Sequence, residues 1–306
     1  DDRSSGHPNW AWIIDSLPHF IAVNYRLYVE ATLPRERVRY AAKVYELGLR
    51  ALAFGMASQY LVRDREVVNN AVLNDLLPKE LPKGNVTALQ TILFETLKAY
   101  RDHRDRFFVP ELYDFYWDMT SGEPYERQGL TEPFDRMTEI CNSLARPATL
   151  PLDEVGWDDL CTRADSYLHT VLNHFRFFER YDIVRLVDQG EEGYAFEIYR
   201  GQTVMLSSDR ISPEHALSVE CFYLAKGREE FLDLHPLLIQ LESPGTIERS
   251  RSSIGVYGRY ARDHLEYLLS TWLRSSDSPE RIDNVMHLSS FVELVFDTID
   301  RIKTTL

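Results

Sequence analysis

The stretch Pro34-Arg-Glu-Arg-Val-Arg-Tyr-Ala-Ala-Lys-Val-Tyr-Glu-Leu-Gly-Leu-Arg-Ala-Leu-Ala-Phe-Gly-Met-Ala-Ser-Gln-Tyr-Leu-Val62 decides the fold. Proline suits the first turn of a helix, where its missing N–H is no loss, and Arg35, Glu36 and Arg37 follow it. Val38, Tyr45 and Leu52 recur at a spacing of seven, as do Ala42, Leu49 and Met56, so the six form one apolar stripe. Val44, Leu47, Ala51, Phe54 and Leu61 form a second. From Tyr40 onward only the narrow strip Lys43, Glu46 and Arg50 is charged. A helix that is apolar on nearly all sides needs neighbours on nearly all sides. The spacing predicts a long central helix wrapped by others.

Shorter helical patterns lie around it, at residues 67–77, 87–100, 110–119, 134–145 and 157–179. The last carries Leu160, Ala164, Leu168, Val171, Leu172, Phe175 and Phe178 on its apolar side. Beyond Arg180 the period changes. Residues 181–187, 194–199, 202–206, 218–224 and 231–241 are short, β-branched or aromatic runs, separated by turns at Gly190, Gly193, Gly201 and Gly227. They predict an antiparallel meander or a small barrel. Residues 243–253 read as a linker. Residues 257–273 return to helical spacing through Tyr260, Ala261, Leu265, Leu268 and Leu269. A final amphipathic helix is expected through Val285, Leu288, Phe291, Val292, Val295, Ile299 and Ile302.

The expected fold class is therefore α+β, mostly α. A helical bundle occupies residues 1–180 and a small antiparallel β unit residues 181–242. A linker and C-terminal helices, packing on the rest, occupy residues 243–306. Separate helical and strand periodicities argue against alternating β/α units around a parallel sheet.

Composition narrows the function. With 44% apolar and 27% charged residues, the chain has the make-up of an ordinary globular protein. Its 34 basic against 48 acidic residues leave a net charge of −14. Nucleic-acid and anionic-membrane binding usually rest on a basic surface, so neither partner is expected. Cys141, Cys161 and Cys221 contain no CxxC spacing and form neither a disulfide framework nor a zinc site. Reduced thiols in the cytoplasm are the expectation. No stretch approaches the ~18 apolar residues of a membrane span. The start Asp1-Asp-Arg-Ser-Ser-Gly-His-Pro8 is acidic, unlike a signal peptide, and without an initiator Met it reads as a trimmed chain or part of a longer one.

Phosphate-loop, dinucleotide-loop, HExxH and GxSxG motifs do not occur in the sequence. No cofactor and no metal are expected. Arg163-Ala-Asp-Ser-Tyr-Leu-His169 fits the R-x(4–6)-H pattern of HEPN-type ribonucleases, although Arg210 to His215, in the expected β region, fits it too. There the Arg would stabilise phosphate charge and the His would move the 2′-hydroxyl proton. Six residues of ideal helix turn the side chain by about 600°, so Arg163 and His169 do not share a face. Asp165 and His169 neighbour each other on a helix, but two ligands are too few for a metal site and His174 is off that face. Asp188 followed by Glu197 and Arg200 falls short of a metal-dependent nuclease pattern, because two residues separate Glu197 from Arg200 and the base is Arg. His235, held extended before Pro236, reads as a turn residue or a binding-face histidine.

Two segments together carry a resemblance. One is Leu17-Pro-His-Phe-Ile-Ala-Val-Asn-Tyr-Arg26, followed by the apolar helix through residues 40–61. The other is Cys221-Phe-Tyr-Leu-Ala-Lys-Gly-Arg-Glu-Glu-Phe-Leu-Asp-Leu-His-Pro-Leu-Leu-Ile239. The pair resembles an uncharacterised helical-plus-β module appended to bacterial multidomain signalling and conflict proteins, beside kinase, NTPase or protease-like domains. The resemblance spans residues 15–242 and carries over no functional residues. It implies a sensing, docking or regulatory role.

The expected function is a non-enzymatic regulatory, sensing or protein-interaction module of a bacterial signalling or defence system. Its partner would be another protein, a neighbouring domain or a second copy of the chain. The expected interaction face is His235 with Leu288, Val292, Val295 and Ile299. The alternative is a HEPN-like ribonuclease or other metal-independent nuclease, using Arg163 and His169.

Overall fold

Pro34 opens helix α3, Pro34–Ser58, in the computed structural model, and this helix is the hub of the chain. The structure describes residues 10–120, 130–146, 150, 153–190, 193–211, 213, 215–235, 237–241, 253–261 and 264–269. Val38, Tyr45, Leu49, Leu52 and Met56 are all buried, as their spacing requires. Helices α2 (His19–Glu30), α6 (Val86–Ala99), α8 (Thr131–Leu144) and α9 (Glu154–His174) pack around it. Helices α1 (Ala11–Ser16), α4 (Arg65–Val68), α5 (Ala71–Glu80) and α7 (Glu111–Thr120) complete the bundle. Gly48 matters to the packing because a Cβ there would overlap the Phe175 ring.

Helix α3 runs into a π-helical turn, Gln59–Asp64. The wider turn brings side chains five residues apart onto one face. Gln59 Nε2 donates to Asp64 Oδ2 at 2.8 Å and to the Arg106 carbonyl at 2.7 Å. Tyr100 donates to the same carboxylate oxygen at 2.9 Å, and the Phe108 N–H to Gln59 Oε1 at 3.1 Å. This network satisfies polar groups that the core would otherwise leave without partners.

Strands β1 (Asp182–Gly190), β2 (Gly193–Arg200), β3 (Thr203–Asp209), β4 (Phe222–Lys226) and β5 (Glu230–Asp233) form an antiparallel sheet. Their order is β3-β2-β1-β4-β5, an open sheet and not a barrel. Ile183, Tyr199, Phe222, Leu224 and Leu232 face the bundle and share its core. The opposite face has its own small cluster, with Val184, Leu186, Phe196, Tyr223 and Ala225 covered by Leu217. The fold class is thus α+β and mostly helical, as expected.

The tail departs from expectation. Residues 257–261 and 264–269 are strand, not helix: β7 (Ser253–Ala261) pairs antiparallel with β8 (His264–Leu269), and β6 (Leu238–Leu241) pairs with β7. The order of this second sheet is β6-β7-β8. β6 pairs with β7, across the boundary expected at residue 242, and not with the first five strands. The physical reason lies in Ser253-Ile-Gly-Val-Tyr-Gly258. Two glycines disfavour a helix, while Ile254 and Val256 alternate and are both buried. The register shifts between Tyr257 and Arg259, which marks a bulge at Gly258. Carbonyls displaced there are taken by Arg50, whose Nη1 donates to those of Tyr257 at 2.7 Å and Gly258 at 3.0 Å. Arg50 Nη2 donates to the Gly84 carbonyl at 2.6 Å and pairs with Glu46. Among the described residues, no helix is long and apolar enough to cross a membrane.

Candidate functional site

Helix α9 separates the two residues of the expected ribonuclease pair. Arg163 is an exposed residue paired with Asp159, one turn back, at 3.0 Å. His169 faces α2: its Nε2 and the buried Tyr25 hydroxyl are hydrogen-bonded at 2.9 Å. Its ring lies flat on Trp10, with centroids 4.4 Å apart. The two side chains serve different partners, as the rotation along the helix requires.

Asp165 and His174 are also used apart. Tyr28 donates to Asp165 Oδ1 at 2.6 Å, and Arg37 pairs with Oδ2 at 2.9 Å. His174 pairs with Asp118 at 3.5 Å, and burial lowers its pKa in spite of that carboxylate. Tyr25, Tyr28, Arg37, Asp165, His169 and Trp10 together tie α2, α3 and α9 to the segment before α1. Burial raises the pKa of both tyrosines, so the hydroxyls stay protonated and act as hydrogen-bond donors or acceptors, not as bases. Among the described residues, no group of three or more His, Cys, Asp or Glu is placed to hold a metal ion.

In the first sheet, Glu197 accepts from Arg185 Nε at 3.0 Å and from the Tyr199 hydroxyl at 2.5 Å. Arg200 pairs with Asp182 at 2.9 Å, and exposed Asp188 accepts from the Gln189 N–H at 2.9 Å. Asp188, Glu197 and Arg200 therefore do not converge. His235 is a half-buried turn residue whose backbone N–H donates to Asp233 Oδ1 at 2.7 Å. Burial pushes that carboxyl up to about 6. Leu288, Val292, Val295 and Ile299 lie outside the described residues.

The surface feature that sequence reading missed is the edge of the first sheet. Among the described residues β3 pairs with β2 alone, so its other side is a sheet edge there. On it Val204, Met205 and Leu206 are 45%, 50% and 71% exposed. Alternating side chains put Met205 on one face and Val204 and Leu206 on the other, so both faces of the edge are apolar. Natural edges are usually blunted by Lys, Pro or a bulge. Residues 203–208 contain no Lys or Pro, and the β2–β3 register runs without a shift. The signal in the sequence was the run Val204-Met205-Leu206 itself, which on its own suggests a strand with both faces covered.

Comparison of the chain with known protein families, with characterised proteins and with solved structures gives no match. The site must be read from its own geometry.

Proposed function

We propose that this chain is a non-enzymatic regulatory, sensing or protein-interaction module of a bacterial signalling or defence system, working in the cytoplasm, and that β3 is its docking edge. The observation that carries the reading is the exposed apolar run Val204, Met205 and Leu206 on the edge strand β3. A strand edge offers backbone N–H and C=O groups to another strand, and its side chains add specificity. Left bare, such an edge invites aggregation, so its retention favours a use. Three cysteines that form no disulfide fit a reducing compartment.

The test compares wild type with Leu206→Lys, which places a charge on the edge without touching the core. Each is purified from the native host, with far-UV circular dichroism to show equal folding. The expected result is a defined protein, or a second copy of the chain, associated with wild type and absent from L206K. Equal association of the two proteins, or turnover of a substrate by the purified chain, overturns the reading.

A further inference from the structure

The hairpin geometry settles which backbone groups of β3 are available. Arg200 and Thr203 pair across a two-residue turn, with Gly201 at φ +58 in the first central position and Gln202 at ordinary negative φ. In such a hairpin the closing pair exchanges both hydrogen bonds, and every second pair after it does the same. Thr203, Met205 and Ser207 thus turn their N–H and C=O groups toward β2. Val204, Leu206 and Ser208 turn theirs to the open edge.

We propose that a second copy of this chain covers this edge, pairing β3 with β3 antiparallel so that Met205 faces Met205 across a twofold axis. This rests on the reading of β3 as the docking edge. The register follows from the apolar residues. With Met205 on the axis, Val204 of each copy meets Leu206 of the other in a hydrogen-bonded pair, and Thr203 meets Ser207. All three apolar residues of each copy then meet apolar partners. A shift that centres Leu206 sets Val204 against Ser208 and Met205 against Ser207. The edge is thereby self-complementary, as a twofold interface must be.

Charge favours this occupant. The chain as a whole carries −14, which opposes self-association, yet residues 202–208 contain no charged side chain. Here two copies approach without like charges meeting.

The experiment measures mass by sedimentation equilibrium for wild type and L206K. It is joined to oxidative crosslinking of Met205→Cys and Leu206→Cys. Residues facing each other in a non-hydrogen-bonded antiparallel pair have Cα atoms ~4.5 Å apart, within disulfide reach. The expected result is a wild-type dimer and a folded L206K monomer. Peptide mapping should join two copies of position 205 in M205C and give no such link at position 206 in L206C. A monomeric wild type, a dimer that persists in L206K, or equal linkage at both positions overturns the self-pairing. If wild type is monomeric but L206K still loses an associated protein, self-pairing fails and the docking edge stands. If wild type is monomeric and L206K changes no association, both fail.

Discussion

The backbone N–H of Gly201 donates to the carbonyl of Leu17 at 2.8 Å, so the tip of the β2–β3 hairpin is tied to the junction of α1 and α2. His19 Nδ1 meets the Gly201 carbonyl at 2.9 Å on the same contact. The docking strand is therefore held at its turn by the bundle. Gly201 sits at φ +58, and a Cβ there would lie 2.7 Å from the Asp15 carbonyl oxygen. Gly201→Ala combines left-handed strain with a backbone clash and should cost about 2–4 kcal/mol. Urea denaturation monitored by circular dichroism measures it. A loss below ~0.5 kcal/mol would show that the turn is not anchored as described.

His169→Ala is expected to destabilise the fold by about 1–3 kcal/mol, because it leaves the buried Tyr25 hydroxyl without this partner and removes the ring stacked on Trp10. A surface histidine would cost less. A double-mutant cycle with Tyr25→Phe isolates the hydrogen bond and should give a coupling of about 1 kcal/mol. Independent, additive effects of the two substitutions would contradict the contact.

Asp233 gives the fold a pH dependence of definite sign. Burial raises its pKa from 3.8 to about 6 in the folded chain, against the lowering effect of the His235 N–H. Its contribution to stability is fully present below pH 3.8, where folded and unfolded chains both carry the proton. It is lost as pH rises through about 6, because the unfolded chain releases the proton first. Asp233→Asn keeps an acceptor for the His235 N–H. It should stabilise the protein by about 2 kcal/mol at neutral pH, after allowing for partial exposure, and have little effect in strong acid. Denaturation midpoints of the two proteins across this range provide the comparison, and parallel curves would rule the effect out.

Arg50→Met should cost about 3–5 kcal/mol. Arg50 is 3% exposed, and its removal leaves three backbone carbonyls and the Glu46 carboxylate without their shared donor. Burial alone would raise the Glu46 pKa, but Lys43 and Arg50 together hold it below the usual value. In R50M that support weakens, so the loss should be greater at neutral pH than in acid. Arg50→Lys should recover only part of it, since one ammonium cannot span the four acceptors. Full recovery by lysine, measured by thermal unfolding, would argue against the forked contact.

Sequence spacing was a good guide wherever one periodicity had one explanation. Val38, Tyr45 and Leu52 could share a buried face only on a helix, and they do. The spacing of residues 257–269 was ambiguous, because apolar residues three and four apart also occur in a strand. Gly255 and Gly258, not the apolar positions, held the better information. Val204-Met205-Leu206 failed as a guide for another reason. The run marks a strand, but whether that strand is central or at an edge depends on the order of pairing with distant segments. Helical rotation alone puts Arg163 and His169 on different faces, and their partners Asp159 and Tyr25 lie on different sides of the helix. The partner of His169 was not legible, since Tyr25 lies 144 residues earlier.

Arg50 also has a place in time. The carbonyls of Tyr257 and Gly258 that it holds lie 207 and 208 residues further along the chain. At a synthesis rate of ~5–20 residues per second, the ribosome delivers them roughly 10–40 s after Arg50 has been made. Through that interval Glu46, four residues back, is already at hand as a counter-charge. The second sheet thus docks onto an ion pair that the nascent chain can assemble before the docking strands exist.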